Sequence, residues 1–557
     1  MIPLTYTARI YISQPREATY KLQPYEIQCI SKKQIVTFAE LEKNASLSRC
    51  NRIAFVREKP LNVVQSPGAW VFIFFLCLLL LTASGRLASL DAGQQLKAAI
   101  LLSKTGHLGL QYVPPGVDPA YEWVKGQNGA WYECHDIGNI ILMLPSALIG
   151  DITSRRSLSD MLSDPPIISC VCVSISYAAL AAIACFFLFR TFSLKLRHRE
   201  AFFLTSTFVA GTFFWAYTKA AWDVLGACCF VSMLLYTSAL LLEGRAVTKS
   251  LLWSSAFLAA AGSFRYSLLP FLAFGLLLVT IAARKFISRR DAVLAGLVFA
   301  TLMTPTMIYN WMRMGSIFIP ATTAKNIGYV GGAGTADLSG SLGDGLWGLV
   351  ISPNKGLLAF APILILCVLQ PVVWRSLDRT FKRLILAYLP TALLYILVLS
   401  KIRGWGSFGW GPRYLLPILP ILFFSAGTVL VMAWGTKYKT FVVCLLLLSG
   451  AVAIPPALVN WHLVLTSFPH ALESRATLPY QQMGAWDAVE KGILGEALPA
   501  SANALQDPVR RLSTRFPDCW TVYLIRAAGR AEFVGIVLTL FLLGGTAVGF
   551  WRNCRDR

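Results

Sequence analysis

The chain has 557 residues, 56% of them hydrophobic and only 14% charged, with a mean hydropathy of +0.59. That balance excludes a soluble globular core and fits a polytopic membrane protein. The formal charge of +22 raises nucleic-acid binding as a function class. However, the Lys and Arg residues sit mostly in short loops beside apolar runs, as positive-inside placement produces, so no nucleic-acid partner is expected.

Residues 1–68 are polar and basic and read as a cytoplasmic N-terminal extension without a cleavable signal peptide. Spanning helices are predicted near 69–84, 166–190, 201–218, 222–242, 249–264, 265–284, 291–311, 347–371, 384–400, 414–434, 438–457 and 532–551. The expected fold is all-α and polytopic, with about twelve transmembrane helices in the inner (plasma) membrane. Starting inside, the short inward loops carry Lys195/Arg197/Arg199, Arg245/Lys249, Lys285/Arg289/Arg290, Arg375/Arg379/Lys382/Arg383, Lys437/Lys439 and Arg552/Arg555/Arg557. Every one of them is basic, which is what this orientation requires.

The membrane domain is thus 69–458, with a first outer loop at 85–165. A second outer segment follows at 459–531, and 532–557 forms the last helix and a cytoplasmic tail. The apolar run Ile137–Gly150 decides the topology. As a helix it is roughly 21 Å long, against a hydrocarbon core of about 30 Å. Pro145 interrupts it and Asp136 and Asp151 bracket it. If it crossed, the basic loops downstream would face outward, so it is expected to lie along the outer surface. The alternative is a short span packed inside the bundle.

Thirteen cysteines are scattered, most of them inside apolar runs, with no zinc-like Cys/His spacing. Cys134 and Cys519, both in outer segments, leave a disulfide open. No Walker loop and no internal repeat is present.

Charged and polar groups near the outer ends of spans are the candidates for chemistry, since a charge at a helix centre costs about 2.5–3.5 kcal/mol. Asp91 follows the first span, and Asp223 stands at the tight turn between the third and fourth. A carboxylate there could act as a general base, hold a metal or pair with a cation; a solvated loop acid is the plainer reading. His135 and Asp136, in Glu133-Cys-His-Asp, could bind a cation or a sugar hydroxyl, or Asp136 could cap the helix that follows. Arg265 falls between two apolar runs with almost no loop, and Lys355 stands at the outer start of the eighth span; both need anionic partners. The stretch Lys401-Ile-Arg403-Gly-Trp-Gly-Ser-Phe-Gly-Trp-Gly-Pro-Arg413-Tyr414 adds three cations among aromatic rings and four glycines. It suits an anionic lipid head group, or else a basic interfacial anchor. Arg forks bind phosphate bidentately while Lys supplies a point charge.

This order of features resembles the bacterial branch of the GT-C membrane glycosyltransferases, which includes protein O-mannosyltransferases and the aminoarabinose transferases of lipid A. The features are an acid after the first span, surface helices with a Pro, a second acid after the third span and a basic residue between the fifth and sixth. SPNKGLLAFAP and WGSFGWGPRYLLPILP come later. The resemblance covers roughly 69–434 and implies a transferase facing away from the cytoplasm, taking a sugar from a polyprenyl-phosphate carrier in the bilayer to an acceptor (protein, lipid or glycan). By position it implies that Asp91 and Asp223 are the catalytic acids. Arg265, Lys355 and Arg413 correspond to lipid-phosphate contacts, with Lys401, Arg403 and Tyr414 beside them. Many relatives carry Asp-Glu at the first site, whereas Ala92 follows Asp91 here, which leaves a divalent cation open and no cofactor required. The rival reading is a transporter or flippase of an anionic lipid.

Overall fold

Apolar runs that face lipid must satisfy their backbone internally, so they fold as helices. The computed structural model describes residues 67–555 apart from 88, 113–122, 320–337, 339, 403–408, 469, 472, 474–476, 497–515 and 528. Nearly all of the expected N-terminal extension lies outside the described residues.

Among the described residues, eight helices are long and apolar enough to cross a membrane. They are Ile137–Ser154, Ile167–Phe192, Asp223–Leu242, Arg289–Met314, Arg379–Ser400, Arg413–Trp434, Lys439–Leu458 and Arg530–Arg555. Shorter apolar helices cover Gly68–Thr82, Tyr266–Ala282, Leu342–Ile351 and Pro362–Ser376, and further helices cover His198–Ala210 and Val247–Phe264. Each of the twelve predicted spans therefore meets a helix or a run of helical turns. The architecture is predominantly helical and polytopic, as expected.

Two predicted spans are interrupted. The one at 201–218 ends as a helix at Ala210 and resumes as the single turn Phe214–Tyr217. The one at 347–371 breaks at 352–356, so Trp347–Ile351 is a separate piece and a new helical run begins at Leu357. In the second of these, proline supplies the reason: Pro353 lacks the N–H that a continuing helix requires.

The helix at 137 extends to Ser154, four residues past the predicted end. Its contacts place it along one end of the bundle rather than across it. Gly138 lies against Ser263 and Phe264, and Gly150 lies against Pro166 and Ser169. Phe264 ends one helix and Ile167 begins another. Following the chain from 167 through the helices at 198, 223 and 247 puts both at the same end, called the site face below. The helix leaves Ile141, Leu148, Ile149 and Ile152 exposed along one stripe.

The loop before it contains a small sheet that the sequence did not suggest. Strands β1 (Gly109–Leu110), β2 (Trp123–Lys125) and β3 (Trp131–Glu133) pair antiparallel in the order β1-β3-β2. Trp123 stands opposite Glu133 in the register. Cys134 and Cys519 are both buried and form no disulfide.

Candidate functional site

Each side chain of the site is placed by the end of a helix. Ser89 caps the Leu90–Thr105 helix, its Oγ accepting from the Ala92 N–H at 3.1 Å. That fixes Asp91 in the first turn, where the helix dipole favours an acid. Asp223 likewise stands in the first turn of its helix, although its N-cap residue Trp222 makes no side-chain cap bond. Ahead of it, Ala221 takes a left-handed φ of 53°, a strained conformation for a residue with a Cβ, and turns the chain sharply. Arg265 ends the Val247–Phe264 helix, its N–H bonded to the Ala261 carbonyl. Arg413 begins a 3-10 turn directly after Pro412.

These ends converge as two Arg–carboxylate pairs. Arg413 Nη1 donates to Asp91 Oδ2 at 3.3 Å, and Arg265 Nη1 donates to Asp223 Oδ2 at 2.8 Å. Tyr414 joins the pairs: its ring centroid is 4.8 Å from the Arg265 guanidinium and 5.0 Å from that of Arg413. Arg413 also lies 4.7 Å over the Trp222 ring. Beneath it, Tyr217 Oη donates to the Trp410 carbonyl at 2.7 Å, and Tyr217, Trp222 and Trp461 pack ring against ring. Flat guanidinium groups held over aromatic faces keep their forks oriented.

His135 and Asp136 extend the cluster. His135 Nε2 is 3.7 Å from Asp91 Oδ2, and its Nδ1 hydrogen-bonds Glu133. Burial opposes a charge on His135, but the Cys134 and Glu133 side chains outweigh it and hold its pKa well above the usual imidazole value. Asp136 occupies the N-cap position before Ile137 but makes no cap bond. Instead its Oδ2 accepts from the Tyr266 N–H at 2.9 Å, which ties the surface helix to the Arg265 turn and corrects the expected capping role. Burial pushes its carboxyl up to about 6, against the opposing pull of the Tyr266 N–H, Arg313 and Arg265. Glu133, Cys134 and His135 offer a carboxylate oxygen, a thiol and a ring nitrogen within 4.8 Å of one another, enough to hold a cation. In this arrangement Glu133 and His135 satisfy each other instead.

Lys355 lies in the break at 352–356 and is 2% exposed. Its Nζ donates to the Gly409 carbonyl at 2.7 Å, joining the SPNKG turn to the WGPRY turn. Burial and the nearby Arg413 lower its pKa to about 7. Gly411 takes a φ of 57°, and a Cβ there would stand 2.6 Å from the Phe360 ring, so only glycine fits this approach.

The structure thus brings together Asp91, His135, Asp136, Asp223, Arg265, Lys355, Arg413 and Tyr414. Lys401 caps the Arg379–Ser400 helix, and its carbonyl accepts from Gly340. Arg403 lies outside the described residues. Several supporting residues escaped the sequence reading. Arg313 is 2% exposed and donates to the Glu133 and His135 carbonyls at 3.0 and 2.7 Å. Tyr309, one helical turn earlier, bonds the same Glu133 carbonyl. Lys219 pairs with Asp518 at 3.0 Å, both 2% exposed, and also donates to the Ala457, Val459 and Asp518 carbonyls. Arg313 and Lys219 carried the same signal as Arg265, a cation close to apolar sequence.

Fold and site together define a polytopic helical membrane protein with a paired Arg–carboxylate cluster at one end of its bundle. No protein-family model matches the chain, and no curated protein matches it in sequence. Among solved structures, it is similar to ArnT from Cupriavidus metallidurans bound to undecaprenyl phosphate. Identity is 13%, coverage 87% of this chain and 75% of that one, and the TM-score 0.44. It is also similar to the apo oligosaccharyltransferase of Archaeoglobus fulgidus, with 11% identity, 84% and 59% coverage and a TM-score of 0.41. A third is the oligosaccharyltransferase AglB of the same organism with an inhibitory peptide and a dolichol-phosphate, at 11% identity, 86% and 60% coverage and a TM-score of 0.40. The chain therefore spans about three fifths of the length of the two oligosaccharyltransferases. The functional reading below rests on the site residues.

Proposed function

We propose that the protein is a membrane glycosyltransferase that moves a sugar from a polyprenyl-phosphate donor to an acceptor hydroxyl, with its site face outside the cytoplasm. The observation that carries this reading is the pair of Arg–carboxylate contacts arranged around Tyr414, with Lys355 beside them. A site at the end of a membrane bundle that holds two guanidinium forks and an ammonium suits a lipid phosphate.

In the reaction, the acceptor oxygen attacks the anomeric carbon and the bond from that carbon to the phosphate oxygen breaks. The phosphate leaves with the electron pair, and Asp91 takes the acceptor proton. Arg413 and Arg265 stabilise the charge gathering on the leaving phosphate. Arg413 holds Asp91 before donor arrives; a phosphate that draws Arg413 away frees the carboxylate, so donor binding prepares the base. Asp223 keeps Arg265 in place. A cation at Glu133, Cys134 and His135 is not required by this scheme.

The rival reading, a flippase or transporter of an anionic lipid, draws on the broken helical run at 352–356, because transporters often bind substrate at broken helices near mid-depth. This break lies instead at the site face, where Asn354 reaches the Ala471 carbonyl and Lys355 the Gly409 carbonyl. The test is transfer of radiolabel from polyprenyl-phosphate sugars to protein, lipid and glycan acceptors by purified protein in lipid. Labelled acceptor supports the transferase. Lipid-phosphate binding without transfer from any donor would favour the flippase.

A further inference from the structure

The outer segment contains a helix, Tyr480–Ile493, with two unlike faces. One face supports the site. Gln481 Oε1 accepts from the Gly411 N–H at 2.8 Å, and the Gln481 backbone N–H donates to Asn354 Oδ1 at 2.9 Å. Gln482 Nε2 donates to the Pro353 carbonyl at 3.2 Å. The backbone turns that carry Lys355 and Arg413 are therefore held by consecutive residues of this helix. The other face is open and largely apolar, with Met483 53%, Trp486 49%, Ile493 72% and Leu494 65% exposed.

That open face forms a groove of about 650 Å³, lined by Gln482, Met483, Trp486, Val489, Ile493 and Leu494 among others. Its depth relative to the bundle follows from one contact. Trp486 Nε1 donates to the Ala451 carbonyl at 3.1 Å. Ala451 lies seven residues before the end of the Lys439–Leu458 helix, about 10 Å below that end. The groove therefore runs beside the upper part of a membrane-crossing helix, at the level where lipid chains begin.

We propose that this groove holds the hydrocarbon chain of the lipid whose phosphate the Arg–Lys cluster binds. The proposal deepens the glycosyltransferase reading and rests on its lipid-phosphate site. Two features set the direction of the chain. Asp487 and Glu490 also line the groove, so an anionic head group is unfavourable along its middle and the uncharged chain belongs there. At the other end, Gln482 Nε2 is bonded to the Pro353 carbonyl in the turn that carries Lys355, so this end of the groove is the one next to the cations. The polar end of the lipid therefore lies toward Gln482 and the cations, and its tail runs toward Ile493 and Leu494, about 18 Å along the helix.

The test uses the full-length protein in lipid nanodiscs and an undecaprenyl phosphate that carries a photoreactive diazirine in its chain. Crosslinked peptides are mapped by mass spectrometry for wild type and for Met483→Gln/Ile493→Gln, two exposed positions whose change leaves the fold intact. The expected label falls in 482–494, is displaced by unmodified undecaprenyl phosphate and not by excess phosphatidylglycerol, and drops about tenfold in the variant. A farnesyl phosphate, too short to fill the groove, binds wild type and variant alike. Label elsewhere, equal displacement by phosphatidylglycerol, or long-chain affinity unchanged in the variant would overturn the groove assignment. Absence of any lipid-phosphate binding to wild type would instead overturn the glycosyltransferase reading itself.

Discussion

Arg413 and Asp91 stand 322 residues apart in the chain, yet the guanidinium Nη1 of one lies 3.3 Å from the carboxylate Oδ2 of the other. The helix that follows the first predicted span is thereby tied to the start of the tenth, and a candidate base is tied to a candidate phosphate ligand. Asp91→Asn keeps the shape of the contact but removes the proton acceptor. It is expected to retain lipid-phosphate binding and to lower transfer about 10²–10⁴-fold, measured as initial rates at saturating donor.

Arg413 makes a second use of its flat fork, stacking near both Trp222 and Tyr414. Lysine keeps the charge but cannot stack or bind bidentately. Arg413→Lys should therefore weaken donor binding about tenfold or more, read by titration with a polyprenyl-phosphate sugar. Arg290→Lys, in the first turn of the Arg289–Met314 helix, should leave it unchanged.

Lys355 supplies a pH dependence. With its pKa lowered to about 7 by burial and by Arg413, it loses its charge as pH rises through that value. Affinity for a phosphodiester donor, whose own charge is constant there, should fall between about pH 6 and 8. Lys355→Arg stays charged and should abolish the step. An unchanged step in that variant would assign it to another group.

Asp136 acts in the opposite sense on stability. Burial raises its carboxyl from 3.8 to about 6, so the folded protein binds the proton more tightly than the unfolded chain. Its contribution is fully present below about pH 4 and is lost as pH rises to about 6. The apparent Tm in detergent should show that fall for wild type, and Asp136→Asn should flatten it.

Lys219 and Asp518 test how the segment after the Lys439–Leu458 helix is fastened. Both are buried, and Tyr523 also bonds Asp518. Removing one partner leaves a buried charge, so Lys219→Met or Asp518→Leu should each destabilise the protein by about 3–5 kcal/mol. The double variant should be less destabilised than either single change, measured by thermal inactivation and by proteolysis within 459–531.

The apolar runs were legible as helices because hydropathy is a local property of the sequence. Asp91, Asp223, Arg265, Lys355 and Arg413 stood out for the same reason, each being a charge beside apolar sequence. Partner choice was not legible. Nothing local says that Asp91 meets Arg413 while Asp223 meets Arg265, or that Asp136 reaches the Tyr266 N–H instead of capping its own helix. The short β-strands were missed because two or three residues carry no period. Arg313 was missed because it closes a 26-residue apolar helix, where a basic residue reads as an ordinary helix end.

The measurement that bears most directly on the central claim is transfer from radiolabelled polyprenyl-phosphate sugars by purified protein in lipid, with wild type and Asp91→Asn side by side. The account predicts labelled acceptor with wild type and almost none with the variant, while both bind the lipid phosphate. Equal transfer by the two would contradict Asp91 as the base, and lipid binding without transfer by either would contradict the transferase itself.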